Sequence, residues 1–381
     1  MFKKMKIAIV HDYIKEYGGA ERVLEEFINI FPDADIYTSV YLPEYLGPHK
    51  NRFKNYKIHT SFLQYFPFKG KLISPFRLLA PLAFMGMNLS SYDVILVSQT
   101  GAYFPNLVQK GNAKLICYTH TPPRYLYGYM TARNWKKNKF KLVIGSVLNH
   151  FLRIFDFNSS KNVDQFIANS QEIASRIKKF YRQNAIVIYP PVAVALNPGE
   201  KLSSKKEQFG KKYFLTGGRL ARAKGTDIVI EAFLKNKKPL KIFGKGFAGF
   251  EEELLSRVQR KGGEVSIEFL GEVTDEEKLD LMKNARAFIF ASFDEDFGIT
   301  PVEAMGAGTP IIAYKSGGVK ETVIDKKTGL FYEPNTKDAL YEAIESFEKQ
   351  KFISKNCYEQ AEKFSPDIFD KKIMEVIKNV S

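Results

Sequence analysis

The chain has 381 residues, 45% of them apolar and 26% charged; that is too long for one ordinary core and fits two globular domains of usual size. Its net charge of +15 is one-sided: residues 1–190 hold 26 Lys and Arg against 12 Asp and Glu, a net +14, and the remainder is close to balanced. The basic half fits an anionic partner, either nucleic acid or an acidic membrane surface, while two cysteines exclude a disulfide framework and favour a reducing compartment.

The N-terminal apolar run, Ile7 to Val10, is too short for a secretory leader. No run reaches the ~20 apolar residues needed to span a bilayer; "LLAPLAFMGMNL" (78–89) is too short and holds a Pro. The first half then alternates in period. "KIAIV" (6–10) predicts a buried parallel strand, and "GGAERVLEEFINIF" (18–31) a helix with apolar positions at Val23, Leu24, Phe27, Ile28 and Phe31. Strands follow at 93–98, 114–120 and 165–170, then a helix at 171–181. "IVIYPPVAV" (186–194) reads as a joint, and the polar stretch 197–212 as a linker. Alternation resumes with strands at 213–220, 240–246, 267–273, 285–292, 310–314 and 328–333, separated by helices at 226–235, 251–261, 275–284 and near 301–306. Strands alternating with helices predict doubly wound parallel sheets. The expected architecture is α/β, two Rossmann-like domains facing across a cleft at the carboxyl ends of their strands, where open sheets bind ligands. The expected boundaries are 1–188 and 189–361, with a terminal helix, 362–381, packing back on the first domain.

The residues best placed for chemistry lie in "EDFGITPVEAMGAGTP" (295–310). Glu295 is expected on the loop after a strand. A helix should open with Thr300 as N-cap, Pro301 at N1 and Glu303 at N3. Its free amides, with Phe297, Gly298, Ile299 and Thr300 around them, suit an anion. Two carboxylates at such a place can accept hydrogen bonds from sugar or ribose hydroxyls. Thr300 and Glu303 also fit a plain capping box, and Asp294-Glu295-Asp296 fits a hard-cation site or a solvated loop.

"GGRLARAKG" (217–225) follows a strand and offers Arg219 and Lys224, which can neutralise a diphosphate. "YGGAER" (17–22) puts Gly18 and Gly19 at a helix start, and "FGKG" (243–246) is a further glycine turn. His120 ends a predicted strand and precedes the stiff "TPPRYLY"; His11 ends the first strand likewise. Such a histidine is either a substrate contact or structural. No His/Cys cluster suggests a metal. Residues 62–87 and 134–155 interleave Lys and Arg with large apolar side chains, compatible with docking on acidic lipid or with core under a solvated rim. No nucleic-acid recognition motif is present.

Taken together, Glu295-x7-Glu303 within "EDFGITPVEAMGAGTPIIAYKSGG", "GGRLARAKG", "YGGAER" and "CYTHTPPRYLY" resemble the retaining glycosyltransferases of GT-B fold, family 4. "HDY…GGAERVLE" with "HTPPRYLY" further resembles bacterial polysaccharide mannosyltransferases that use GDP-mannose. The resemblance implies an enzyme that moves a hexose from a nucleotide diphosphate sugar to a glycan or lipid-linked acceptor. It implies roles for His120, Glu295, Arg219 and Lys224 in catalysis. Gly18, Gly19, Arg219, Lys224, Glu295, Phe297, Gly298, Ile299, Thr300 and Glu303 would hold the donor: Glu295 the sugar hydroxyls, Glu303 the ribose, Arg219 and Lys224 the diphosphate. It implies no cofactor and no metal; the basic first half with its interleaved apolar residues adds the expectation of a cytoplasmic protein, peripheral at the inner face of the cell membrane. Tyr127 stands where relatives often carry Trp. A nucleotide-sugar epimerase on the same scaffold, a UDP-glucose or UDP-GlcNAc donor, and a nucleic-acid-binding protein are the alternatives.

Overall fold

The computed structural model describes residues 5–130, 139–193, 212–246, 249–260 and 266–380. Nearly all of the linker read at 197–212, and Lys136 and Lys137 of the basic stretch, lie outside the described residues. The chain divides into two compact units. One comprises the described residues to Tyr129, those of 139–191, and Pro366 onward; the other comprises Met130 and Val192–Ser365.

The first unit is built on seven parallel strands: β1 (Ile7–His11), β2 (Asp35–Thr38), β3 (Ile58–Thr60), β4 (Val94–Gln99), β5 (Lys114–Thr119), β6 (Gln165–Ala168) and β7 (Ala185–Val187). Their order is β3-β2-β1-β4-β5-β6-β7. Its helices are α1 (Gly19–Ile30), α2 (Lys69–Leu72), α3 (Ala80–Met85), α4 (Lys139–Ser160) and α5 (Gln171–Tyr181). The second unit has β8 (Tyr213–Gly217), β9 (Leu240–Phe243), β10 (Ile267–Gly271), β11 (Ala285–Phe290), β12 (Ile311–Tyr314) and β13 (Gly329–Tyr332), ordered β10-β9-β8-β11-β12-β13. Around it run α6 (Thr226–Asn236), α7 (Phe250–Arg260), α8 (Asp275–Asn284), α9 (Ile299–Gly306), α10 (Val319–Thr322), α11 (Lys337–Glu348) and α12 (Ser354–Glu362). Both sheets are parallel throughout.

The central strands are the runs the sequence marks as apolar. All of β4 is buried, as is β1 after Ile7, because helices cover both faces of a parallel sheet. The three strands absent from the sequence reading are short edge or near-edge pieces. No residue of β3 or β7 is fully buried, and β2 buries only alternate positions; such strands carry no continuous apolar run. Each sheet reverses its order once, between β1 and β4 and between β8 and β11. Crossovers leave these points in opposite directions, so the carboxyl ends of those strands stay open to a ligand.

A last helix, α13 (Pro366–Val380), packs on α1 in the first unit. Phe369 stacks on Phe27 at 5.7 Å and meets Tyr118 edge-on at 5.8 Å. Beside this contact the Glu26 and Asp370 side chains hydrogen-bond to each other. Burial, then the charge of Asp370, pushes Glu26 up to about 7; burial raises Asp370 as well. The folded chain thus keeps protons that the unfolded chain has released. From the ordinary glutamate range up to about pH 7, stability should fall as pH rises, and Glu26→Gln should reduce that slope in urea-midpoint measurements. A slope unaffected by the substitution would contradict a proton held between the two side chains.

Candidate active site

At the reversal point of the second sheet, β8 ends in Gly217, and Gly218 with a left-handed backbone carries the chain to the exposed Arg219. Residues 222–224 form one tight turn. Gly225 then lies so close to β11 that a Cβ on it would sit 2.3 Å from the Ala291 carbonyl oxygen, at a φ of +66°. Only glycine allows this approach. The Phe293 amide donates to the Ala223 carbonyl at 2.8 Å and completes the seam.

The seam brings together two residues 71 positions apart. Lys224 Nζ lies 2.6 Å from Glu295 Oε2. The same oxygen accepts a hydrogen bond from Ser292 Oγ. The loop is held from below: Gly318 donates its amide to the Glu295 carbonyl at 2.8 Å, and a Cβ on Gly317 would sit 2.1 Å from that oxygen. One cation and one carboxylate therefore share a partly exposed position at the carboxyl ends of β8 and β11. The cation can meet a diphosphate, and the carboxylate can accept from hydroxyls.

The expected capping box is absent. α9 starts two residues earlier than the Thr300 N-cap requires: Gly298, at a φ of +90°, is the N-cap, and no side chain caps the helix. Pro301 falls in the first turn, where a missing N–H costs nothing. Glu303 is then the fifth helical residue rather than the third, and its Oε1 accepts from Lys278 Nζ of α8 at 2.8 Å. The carboxylate is thus free of capping duty and paired across two helices. Phe297 is buried against Phe364, so its side chain belongs to the core and only its backbone faces the turn. Asp294 takes a left-handed φ of +47°, and its amide donates to Ser316 Oγ. Among the described residues no group of three or more His, Cys, Asp or Glu could hold a metal ion.

The first unit has its own polar cluster at its reversal point. His11 and Ser98 are register partners at the ends of β1 and β4, and His120 follows β5. Ser98 Oγ lies 3.0 Å from His11 Nδ1 and 3.0 Å from His120 Nε2, so one hydroxyl joins both rings. Burial, then the charge of His11, pushes His120 down to about 3. At neutral pH His120 is an uncharged hydrogen-bonding group. Glu21 connects this pair to the glycine turn: Oε2 accepts the Gly18 amide at 2.9 Å, and Oε1 lies 3.7 Å from His11 Nε2. Gly18 is the N-cap of α1, and Gly19 opens the helix. Asp12, fully buried, fixes the next loop by accepting from Thr100 Oγ1 and from the amides of Ala102 and Tyr103.

The sequence reading named Lys224 and Glu295 but not their pairing, and it missed Ser292, Lys278, Glu21, Ser98 and Asp12. Ser98 had a usable signal: it ends a predicted strand, as His11 and His120 do. Lys278 had none, because its helix is polar and its partner depends on how two helices pack.

Comparison with known proteins agrees with the fold. Residues 17–196 match the model of Glycosyltransferase Family 4, and residues 200–364 that of Glycosyl transferases group 1. Among curated relatives, Alpha-1,3/1,6-mannosyltransferase ALG2 of Dictyostelium discoideum is 29% identical over 304 residues, 68% of each chain. The mouse protein of that name is 25% identical over 315 residues, 75% of this chain and 73% of that one. Among solved structures, Anabaena HepE in complex with UDP superposes with a TM-score of 0.70 at 20% identity, covering 98% of this chain and 100% of that one. Sucrose-phosphate synthase from Thermosynechococcus elongatus gives 0.70 at 17% identity, covering 98% of both. With two matched models that together take in nearly the whole sequence and a GT-B architecture, the chain belongs to the group 1, family 4 glycosyltransferases, enzymes that transfer a sugar from a nucleotide-sugar donor.

Proposed function

We propose that this enzyme transfers mannose from GDP-mannose, with retention at the anomeric carbon and without a metal ion, to a lipid-linked glycan or lipid acceptor. The observation that carries the donor site is the Lys224–Glu295 pair at the reversal point of the second sheet. Charge develops on the leaving diphosphate as the glycosidic bond breaks, and a cation fixed beside it lowers that barrier. In this reading Lys224 and Arg219 meet the diphosphate, helped by the backbone amides of Gly298, Ile299 and Thr300 at the start of α9. Glu295 orients hydroxyls of the transferred sugar, and Glu303, held by Lys278, takes the ribose. The second unit binds the donor in this account and the first the acceptor. His120, Gly18 and Gly19 of the first unit are read as further contacts of the donor.

The mannosyltransferase names of the curated relatives support the choice of sugar. A UDP-sugar donor is the second reading, favoured by the UDP and UDP-glucose complexes of the structural neighbours. The lipid-linked acceptor rests on the surface of the first unit. Residues 45–155 carry sixteen Lys and Arg and one acid, Asp93. Large apolar side chains stand exposed among them, Tyr65 at 85% and Phe68 at 79%. Among the described residues no helix is long and apolar enough to cross a membrane; the basic surface with its exposed apolar side chains supports a place at the cytoplasmic surface of an anionic bilayer.

A thermal-shift series decides the donor. A nucleotide sugar at 100 times its Kd should add about 2.7 kcal/mol; GDP-mannose should raise the melting temperature, and a shift with UDP-glucose or UDP-GlcNAc alone would overturn mannose. Lys224→Ala should lower turnover on the order of 10²-fold, and EDTA should leave the wild type active. Loss of activity in EDTA with recovery in Mg²⁺ or Mn²⁺ would instead favour Asp294 and Asp296 as ion ligands. Because α9 has no capping box, Glu303→Gln should leave the fold intact and raise the donor KM; an unchanged KM would remove Glu303 from the ribose.

A further inference from the structure

α4 carries two opposed rows. At 100° per residue, Val147, Leu148, Phe151, Ile154 and Phe155 share one side, and Asn149, Leu152, Arg153 and Asp156 the other. The first row is exposed, with Phe151 at 57%; on the second, Leu152 and Asp156 are buried. Within Lys139–Ser160 the single acid is Asp156, which is 0% exposed, while the basic Arg153 is exposed.

The inner row holds three consecutive residues of the loop that follows His120. Asn149 Nδ2 donates to the Tyr125 carbonyl at 3.4 Å, and Arg153 Nη1 to the Leu126 carbonyl at 3.1 Å. Tyr127 donates its hydroxyl to Asp156 Oδ2 at 2.7 Å, while Tyr181 donates to Oδ1 at 3.1 Å. Burial pushes Asp156 up to about 7, and the two hydroxyls oppose that rise. The Tyr127 ring stacks on Phe180 at 4.0 Å. Pro122 and Pro123 leave the segment between His120 and this anchored stretch little freedom. The Tyr127–Asp156 bond is a feature of this chain's own residues, since a Trp at 127 would have no hydroxyl to give. Arg77 lies 4.3 Å over the Tyr125 ring on the same loop.

We propose that α4 couples contact with an anionic lipid bilayer to the loop behind His120: its outward row enters the lipid surface, and Asn149, Arg153 and Asp156 pass the fixation of the helix on to residues 125–127. The inference rests on the membrane placement given under the proposed function. Its partner follows from charge, because the stretch 45–155 that includes this row carries sixteen Lys and Arg against one acid, and an apolar row in so basic a stretch complements acidic lipid. Fixing a helix reduces the motion of what is bonded to it, and three bonds to consecutive residues leave those residues few ways to move independently.

Flotation of the full chain with phosphatidylcholine vesicles, with and without phosphatidylglycerol, tests this together with hydrogen exchange of residues 121–129. The wild type should float with the anionic vesicles, less so in high salt, and its 121–129 amides should then exchange several-fold more slowly. Phe151→Ser with Ile154→Ser should abolish both effects, as should the independent pair Val147→Ser with Leu148→Ser; all four side chains are exposed, so melting temperature should hold. Tyr127→Phe should float normally and lose most of the added protection. Failure of the wild type to float would defeat the membrane placement itself. Flotation with unchanged exchange at 121–129 would defeat the coupling alone. Outer-row variants that float like wild type would overturn the docking row, and conversion of a dimer to a monomer by those variants without loss of flotation would assign the row to a second copy of the chain.

Discussion

The ion pair between Lys224 and Glu295 is the interaction on which the proposed donor site depends. Its partners lie on different crossovers, and they meet at 2.6 Å because the backbone of Gly225 passes against Ala291 while Gly317 and Gly318 pass under the loop at 295–297. A partly exposed pair of this kind contributes little to stability, about 0–1 kcal/mol. Glycines at three close approaches are a large structural outlay for so small a return. The arrangement makes sense as preorganisation: a charge and an acceptor are fixed before a ligand arrives, so that little reorganisation remains for the reaction step.

The same constraint operates in both sheets. Each reverses strand order once, and each gathers its polar residues there. In the second unit the result is an ion pair, partly exposed; in the first it is a buried hydrogen-bonded cluster. His120 is held uncharged chiefly by burial, and Ser98 joins it to His11 through hydrogen bonds. Asp12 and Glu21 complete that lattice by tying it to the loop at 100–103 and to the Gly18 turn.

How much of this could be read in the sequence follows from what makes each feature. Central strands such as β4 were legible because a parallel strand covered on both faces is an unbroken apolar run. Edge strands such as β3 were not, because an exposed three-residue strand has no run to show. Glu295 and Lys224 were legible as types at loop positions, but their contact needed the glycine approaches, which depend on tertiary packing. The Thr300–Glu303 spacing was misleading. A local rule predicted a box, and a left-handed Gly298 started the helix earlier, leaving Glu303 for Lys278. The exposed face of α4 was foreshadowed by its mixture of basic and apolar residues; that its other face grips residues 125–127 could only come from the fold.

The most direct measurement of the donor-site account is a crystal structure with GDP-mannose bound. The account predicts a diphosphate oxygen within about 3 Å of Lys224 Nζ and a hexose hydroxyl at a similar distance from Glu295, with no ion between protein and diphosphate. A diphosphate held away from Lys224, or bridged to Asp294 and Asp296 by a divalent cation, would contradict it.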